Sequence, residues 1–135
     1  MGKKKPGRSP RAKVEFEYVT SAVSLLDNDG IVVHIVNDSP VTGTARAVIY
    51  QNTGAGAVRA TDSGIVSLTP TWNWGIGYTV SSSGEYWLRV QTSSQFLIPK
   101  ASFERFGNSV WIPVVTYRPG DFAVFKVKPT RKRIW

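Results

Sequence analysis

The chain has no cysteine, a single histidine and a single methionine among its 135 residues. Without cysteine there is no disulfide framework, no thiolate metal site and no cysteine nucleophile. The one histidine, His34, lies in Val32-Val33-His34-Ile35-Val36, where it reads as a strand histidine in or near a core, and no serine or aspartate beside it forms a triad motif. One histidine would leave only carboxylates to complete a zinc site. No apolar run approaches the roughly 20 residues of a membrane-spanning helix, and no stretch of ten or more residues places apolar positions at helical spacing. These gaps point away from an enzyme, from a cofactor and from a metal centre. Hydrophobic residues at 41% and charged residues at 19% are ordinary for a globular chain, and this length buries enough apolar surface to fold without a staple.

Acidic residues are missing from both ends. Residues 1–13 carry Lys3, Lys4, Lys5, Arg8, Arg11 and Lys13 and no acid; residues 126–135 carry Lys126, Lys128, Arg131, Lys132 and Arg133 and no acid. The stretch between holds six bases against all nine acids, so the net charge of +8 comes from the ends around a mildly acidic body. Pro6, Gly7, Ser9 and Pro10 among the first bases predict a flexible arm. The expected division is a basic arm over 1–13, a β domain over 14–128, and a basic tail over 129–135 ending in Ile134-Trp135. Met1-Gly2-Lys3-Lys4-Lys5 begins like a secretion signal, but no apolar region follows, and Pro6 stands where myristoylation needs serine or threonine. The expectation is synthesis in the cytoplasm, with the final location, cytoplasm or surface assembly, left open.

Short runs at strand period fill the rest. Val14, Phe16 and Tyr18 alternate with charged neighbours; Ile31 to Val36 is apolar on both faces; Trp72, Trp74, Ile76, Tyr78 and Val80 form a stripe opposite Asn73, Gly75, Gly77 and Thr79. Further runs are Thr44 to Gln51, Ala57 to Ala60, Ile65 to Thr69, Glu85 to Gln91, Phe96 to Phe106, Val110 to Tyr117 and Phe122 to Lys128. Pro99 and Pro113 mark two of them as edges or bulged strands, because proline cannot donate to a ladder. Asp27-Asn28-Asp29-Gly30 reads as a turn and lacks the later oxygen ligands of a calcium loop. Gly54-Ala55-Gly56 lacks the Gly-Lys-Ser/Thr ending of a phosphate loop. The predicted class is all-β: an eight- or nine-stranded antiparallel β-sandwich, either a jelly roll or an immunoglobulin-like Greek key.

Ser82-Ser83-Gly84-Glu85-Tyr86 followed by Leu88 resembles the tyrosine corner of immunoglobulin-like domains, with Ser82 in place of the usual aspartate and Leu88 in place of the cysteine. The resemblance implies a tyrosine hydroxyl bonded back to the chain just upstream, and bears on fold alone.

The expected function is structural: a self-assembling subunit of a filament, shell or coat, a homo-oligomer whose terminal arms dock on neighbouring copies. The candidate interface residues are Arg8, Arg11, Val14, Phe16, Trp87, Arg89, Arg131, Ile134 and Trp135. Trp87 stands between outward-pointing Glu85 and Arg89, and Ile134-Trp135 is a hydrophobic anchor that water would not favour. A second reading is nucleic-acid or other polyanion packaging through Lys3, Lys4, Lys5, Lys132 and Arg133, whose charges release counterions without reading sequence. A third is carbohydrate binding on Trp72 and Trp74, set against the alternative that their stripe is a core face.

Overall fold

A computed structural model describes residues 14–127, and strand is the regular structure there apart from one 3-10 turn at Pro119–Asp121. The strands are β1 (Phe16–Val19), β2 (Val23–Leu25), β3 (Gly30–Asn37), β4 (Gly43–Thr53), β5 (Gly56–Asp62), β6 (Val66–Leu68), β7 (Asn73–Thr79), β8 (Gly84–Thr92), β9 (Leu97–Gly107), β10 (Val110–Tyr117) and β11 (Ala123–Lys126). They form two antiparallel sheets. One runs β11-β1-β8-β4-β5, with β2 also on β8 and β6 also on β4; the other runs β10-β9-β3-β7. The described residues hold eleven strands against the eight or nine expected, and β2 has no counterpart among the runs read from the sequence. β1 and β2 lie in succession along the same side of β8, and β6 and β5 do the same along β4. Among the described residues no helix is long and apolar enough to cross a membrane.

Alternation places one face of each sheet against a shared core, consistent with the expected sandwich. Ile31, Val33, Ile35, Ala101 and Phe103 come from the four-stranded sheet; Ala45, Ala47, Ile49, Tyr86, Leu88 and Val90 come from the other. Trp74, Ile76 and Tyr78 pack half-buried on this core and Val80 is fully inside it, as the core reading of their stripe expects. Trp72 departs from the stripe. It precedes β7 in a turn where Thr71 has φ +64° and the Trp72 N–H donates to Thr69 O, and its side chain is exposed. An aromatic chain closes one side of the core, from Phe103 to Tyr117, Phe122 and Tyr18 at centroid spacings of 6.0, 5.4 and 6.0 Å. Buried Asn37 satisfies its amide by donating to the carbonyls of Val41 and Leu68, each at 2.8 Å.

The Tyr86 hydroxyl donates to the Ser82 carbonyl at 2.7 Å, the bond that the tyrosine-corner resemblance implies. Pro113 sits on an edge strand with a register shift between Pro113 and Val115. Pro99 does not mark an edge: β9 lies between β10 and β3. Its ladder with β10 ends at Ala101, so at Pro99 only β3 is paired and the strand tolerates the missing donor.

Two substitutions test this core. Phe103→Ala, at a fully buried ring, should lower unfolding free energy by about 3–5 kcal/mol. Tyr86→Phe, which removes only the Ser82 bond, should lower it by about 1 kcal/mol. Urea denaturation with an unchanged m-value reads both.

Candidate interaction surfaces

The β9–β10 hairpin runs past the end of β3, whose last pair with β9 is Gly30–Glu104. Its two-residue turn, Asn108-Ser109, has φ of +52° and +65°, the mirror-image turn that suits strand twist. The hairpin root is held by Asp29, a buried residue in the turn before β3. Its carboxylate accepts from Arg105 Nε at 3.0 Å, from Arg105 Nη2 at 2.8 Å and from the Leu26 N–H at 2.8 Å. The bond from Arg105, reinforced by Leu26, holds the Asp29 carboxyl below its ordinary range against the effect of burial. The Asp27–Gly30 segment is therefore a turn, as expected, with Asn28 at φ +75°.

Among the described residues, seven of the thirteen exposed large hydrophobic residues fall between 106 and 125: Phe106, Val110, Trp111, Ile112, Val114, Val124 and Phe125. They lie on β9, β10 and β11, at or beside the edges of the two sheets. β10 is the edge of one sheet, β11 the edge of the other, and a single 3-10 turn joins them, so both edges lie on one flank. Ile112 pairs with Arg105, whose side chain turns to Asp29, and so faces the flank; with Arg105, Phe106, Gly107, Pro113 and Val114 it lines an open groove of about 420 Å³.

Trp111 faces the other way, onto the outward side of the four-stranded sheet, paired with Phe106 at a centroid distance of 5.2 Å. Three glycines stand on that side. The register sets Gly30 between Thr79 and Glu104, Val32 between Gly77 and Ser102, and His34 between Gly75 and Lys100. A Cβ on Gly30 would come within 3.1 Å of the Trp111 ring, and one on Gly75 within 2.8 Å of His34 Nδ1, whereas one on Gly77 would meet nothing within 4 Å. Two glycines thus lie beneath rings and the third floors a groove of about 250 Å³, lined by Gly30, Val32, Gly77, Thr79, Glu104 and Trp111. His34 is half-buried on this outward face, not turned into the core.

The expected interface residues separate. Val14 is 1% exposed and Phe16 packs half-buried on the core, while β1 is paired on both sides by β8 and β11. This strand is part of the sheet and has no edge to offer a neighbour. Trp87 and Arg89 do point outward. Trp87 stacks on Tyr50 at 4.2 Å and 15°, donates from Nε1 to Asn52, and has the Arg89 guanidinium 5.7 Å from its ring. Arg89 Nε is buried without a hydrogen-bond partner. Arg8, Arg11, Arg131, Ile134, Trp135, Lys3, Lys4, Lys5, Lys132 and Arg133 lie outside the described residues. The segments that carry them attach side by side: Phe16 is opposite Lys126, and the Val127 N–H donates to Glu15 O. Sequence reasoning missed Trp111, Glu104 and Ile112. A hairpin signal around Asn108-Ser109 would have placed Trp111 beside Phe106.

No protein-family model matches this chain, and no curated protein matches it. Among solved structures it is similar to the crystal structure of Thermotoga maritima 1070, with a TM-score of 0.52 and 8% identity over 84% of this chain and 91% of that one. At that identity the likeness speaks to fold alone.

On the outward side of the larger sheet, Asp62 receives bonds from Arg46 and Arg59 and from the Gly64 N–H at 2.8 Å. The Arg46 bond chiefly holds its carboxyl down at about 2. Because the folded value is depressed, the stabilisation is complete above about pH 4 and is lost as pH falls through about 2. Stability should therefore drop across that window. Asp62→Asn should be less stable at neutral pH and show a shallower acid loss, read from urea midpoints at each pH.

Proposed function

We propose that this chain is a structural, self-assembling β-sandwich subunit, and that the flank formed by the β10 and β11 edges is covered by a second copy. The observation that carries the reading is the exposure of apolar side chains on these two adjoining edges: Ile112, on the side of its sheet shared with Arg105, and Val124, on the side of its sheet shared with Tyr18, with Val114 at the bulge between them in sequence. Natural sheets usually protect edges with charge, proline or cover. Here Pro113 and its bulge interrupt backbone pairing along β10, which favours side-chain packing over continuous strand addition. The acidic body and basic ends supply attraction between copies. The Tyr86–Ser82 bond supports an immunoglobulin-like Greek key for the sandwich itself.

A second reading, polyanion binding, is favoured by one observation: the described residues next to the two basic segments are neighbours, with Phe16 of β1 opposite Lys126 of β11 and the Val127 N–H bonded to Glu15 O. Affinity for single-stranded nucleic acid that falls steeply with salt, and vanishes when residues 1–13 and 128–135 are removed, would favour it over assembly.

Light scattering on size-exclusion fractions decides the first reading. The wild-type chain should elute as an oligomer that persists in high salt. The Ile112→Lys/Val124→Lys variant, altered at two half-exposed positions, should run as the 14.9 kDa monomer with an unchanged fold. A wild-type monomer at every concentration would overturn the proposal.

A further inference from the structure

The groove over Gly77 has a chemistry of its own, separate from the flank. Its wall is a preformed aromatic ring: Trp111 lies across Gly30 and is buttressed by Phe106, yet remains 47% exposed. Its floor is bare backbone at Gly77, bordered by Val32, and its polar groups are the Glu104 carboxylate and the Thr79 hydroxyl. At about 250 Å³ it is smaller than the roughly 300–1,000 Å³ of sites for drug-sized molecules, and has room for one ring. The ligand that matches must offer an apolar face to tryptophan and hydroxyls to a carboxylate and an alcohol. It must also lack negative charge, since the charged side chain lining the groove is Glu104. An open groove that leaves much of its occupant wet suits a ligand with hydroxyls on its rim.

We infer that this groove binds one ring of a neutral carbohydrate, stacked on Trp111 with its hydroxyls bonded to Glu104 and Thr79. Gly30 and Gly77 are then positioning residues. Gly30 leaves room for the benzo edge of the indole against the strand, and Gly77 leaves the depth a sugar ring needs. The tryptophans singled out by sequence spacing are not the platform: Trp74 packs on the core and Trp72 projects from a turn before β7.

Isothermal titration of the full chain with soluble cellohexaose, xylohexaose, mannohexaose and chitohexaose, and with heparin as a polyanion, tests this. At least one neutral glycan should bind with a Kd below about 1 mM. Trp111→Ala should weaken it by about tenfold or more. Gly77→Val fills the groove where an added Cβ meets open space, so it should abolish binding with the fold intact, while Trp72→Ala should leave binding unchanged. No binding by any neutral glycan, binding of heparin alone, or glycan binding that survives Gly77→Val would each overturn the inference. The Ile112→Lys/Val124→Lys variant keeps every groove residue, so glycan binding by that variant separates failure of this inference from failure of the assembly reading.

Discussion

The ion pair between Asp29 and Arg105 fixes the end of the molecule where its surfaces become distinctive. A buried carboxylate is tolerated only when its charge is met, and here one guanidinium and one backbone N–H meet it. The residues on either side inherit the consequences. Asp29 precedes Gly30, on which Trp111 rests; Arg105 is flanked by Glu104, which walls the groove, and by Phe106, which buttresses the indole. The pair ties the hairpin beyond β3 to the turn before that strand, beside the contact of Trp111 with Gly30.

That hairpin presents two surfaces of different character. Strand alternation sends Trp111 to the outward side of the four-stranded sheet and Ile112 to the flank between the sheets. One surface mixes an aromatic ring with polar groups over a glycine floor, while the other is mainly apolar, with Arg105 as its charged member. The two proposed roles therefore rest on adjacent residues of one strand, separated by the two-residue period of a β-strand. The bulge at Val114 ends this alternation and protects the rest of the edge.

Features that depend on neighbours in sequence were legible in advance. The turn at Asp27–Gly30, the Tyr86 corner, the bulge at Pro113 and the inward stripe from Trp74 to Val80 all follow from local chemistry, namely left-handed tolerance, a hydroxyl within reach, a missing donor and period two. What was not legible depends on pairs distant in sequence. Nothing local to Arg105 indicates that its partner is 76 residues upstream. Pro99 suggested an edge strand, but β10 covers β9 only from Ala101 onward. Val14 and Phe16 read as interface residues because their run follows a basic, proline-rich segment, although β8 and β11 enclose the strand. Trp72 was assigned to a stripe that begins two residues later, since a left-handed Thr71 cannot be read from the sequence.

The position of β1 has a consequence for how the protein is made. It is synthesised well before its partners, which are β8, some seventy residues later, and β11, the last strand among the described residues. β4 also has β8 as a neighbour. The larger sheet therefore cannot be assembled in the order in which it is synthesised, and until β8 has been made β1 and β4 have edges without their native partner. Folding must wait for closure of distant pairs, which is slow for sheet topologies, and in that interval the growing chain is open to pairing with the wrong strand or the wrong molecule.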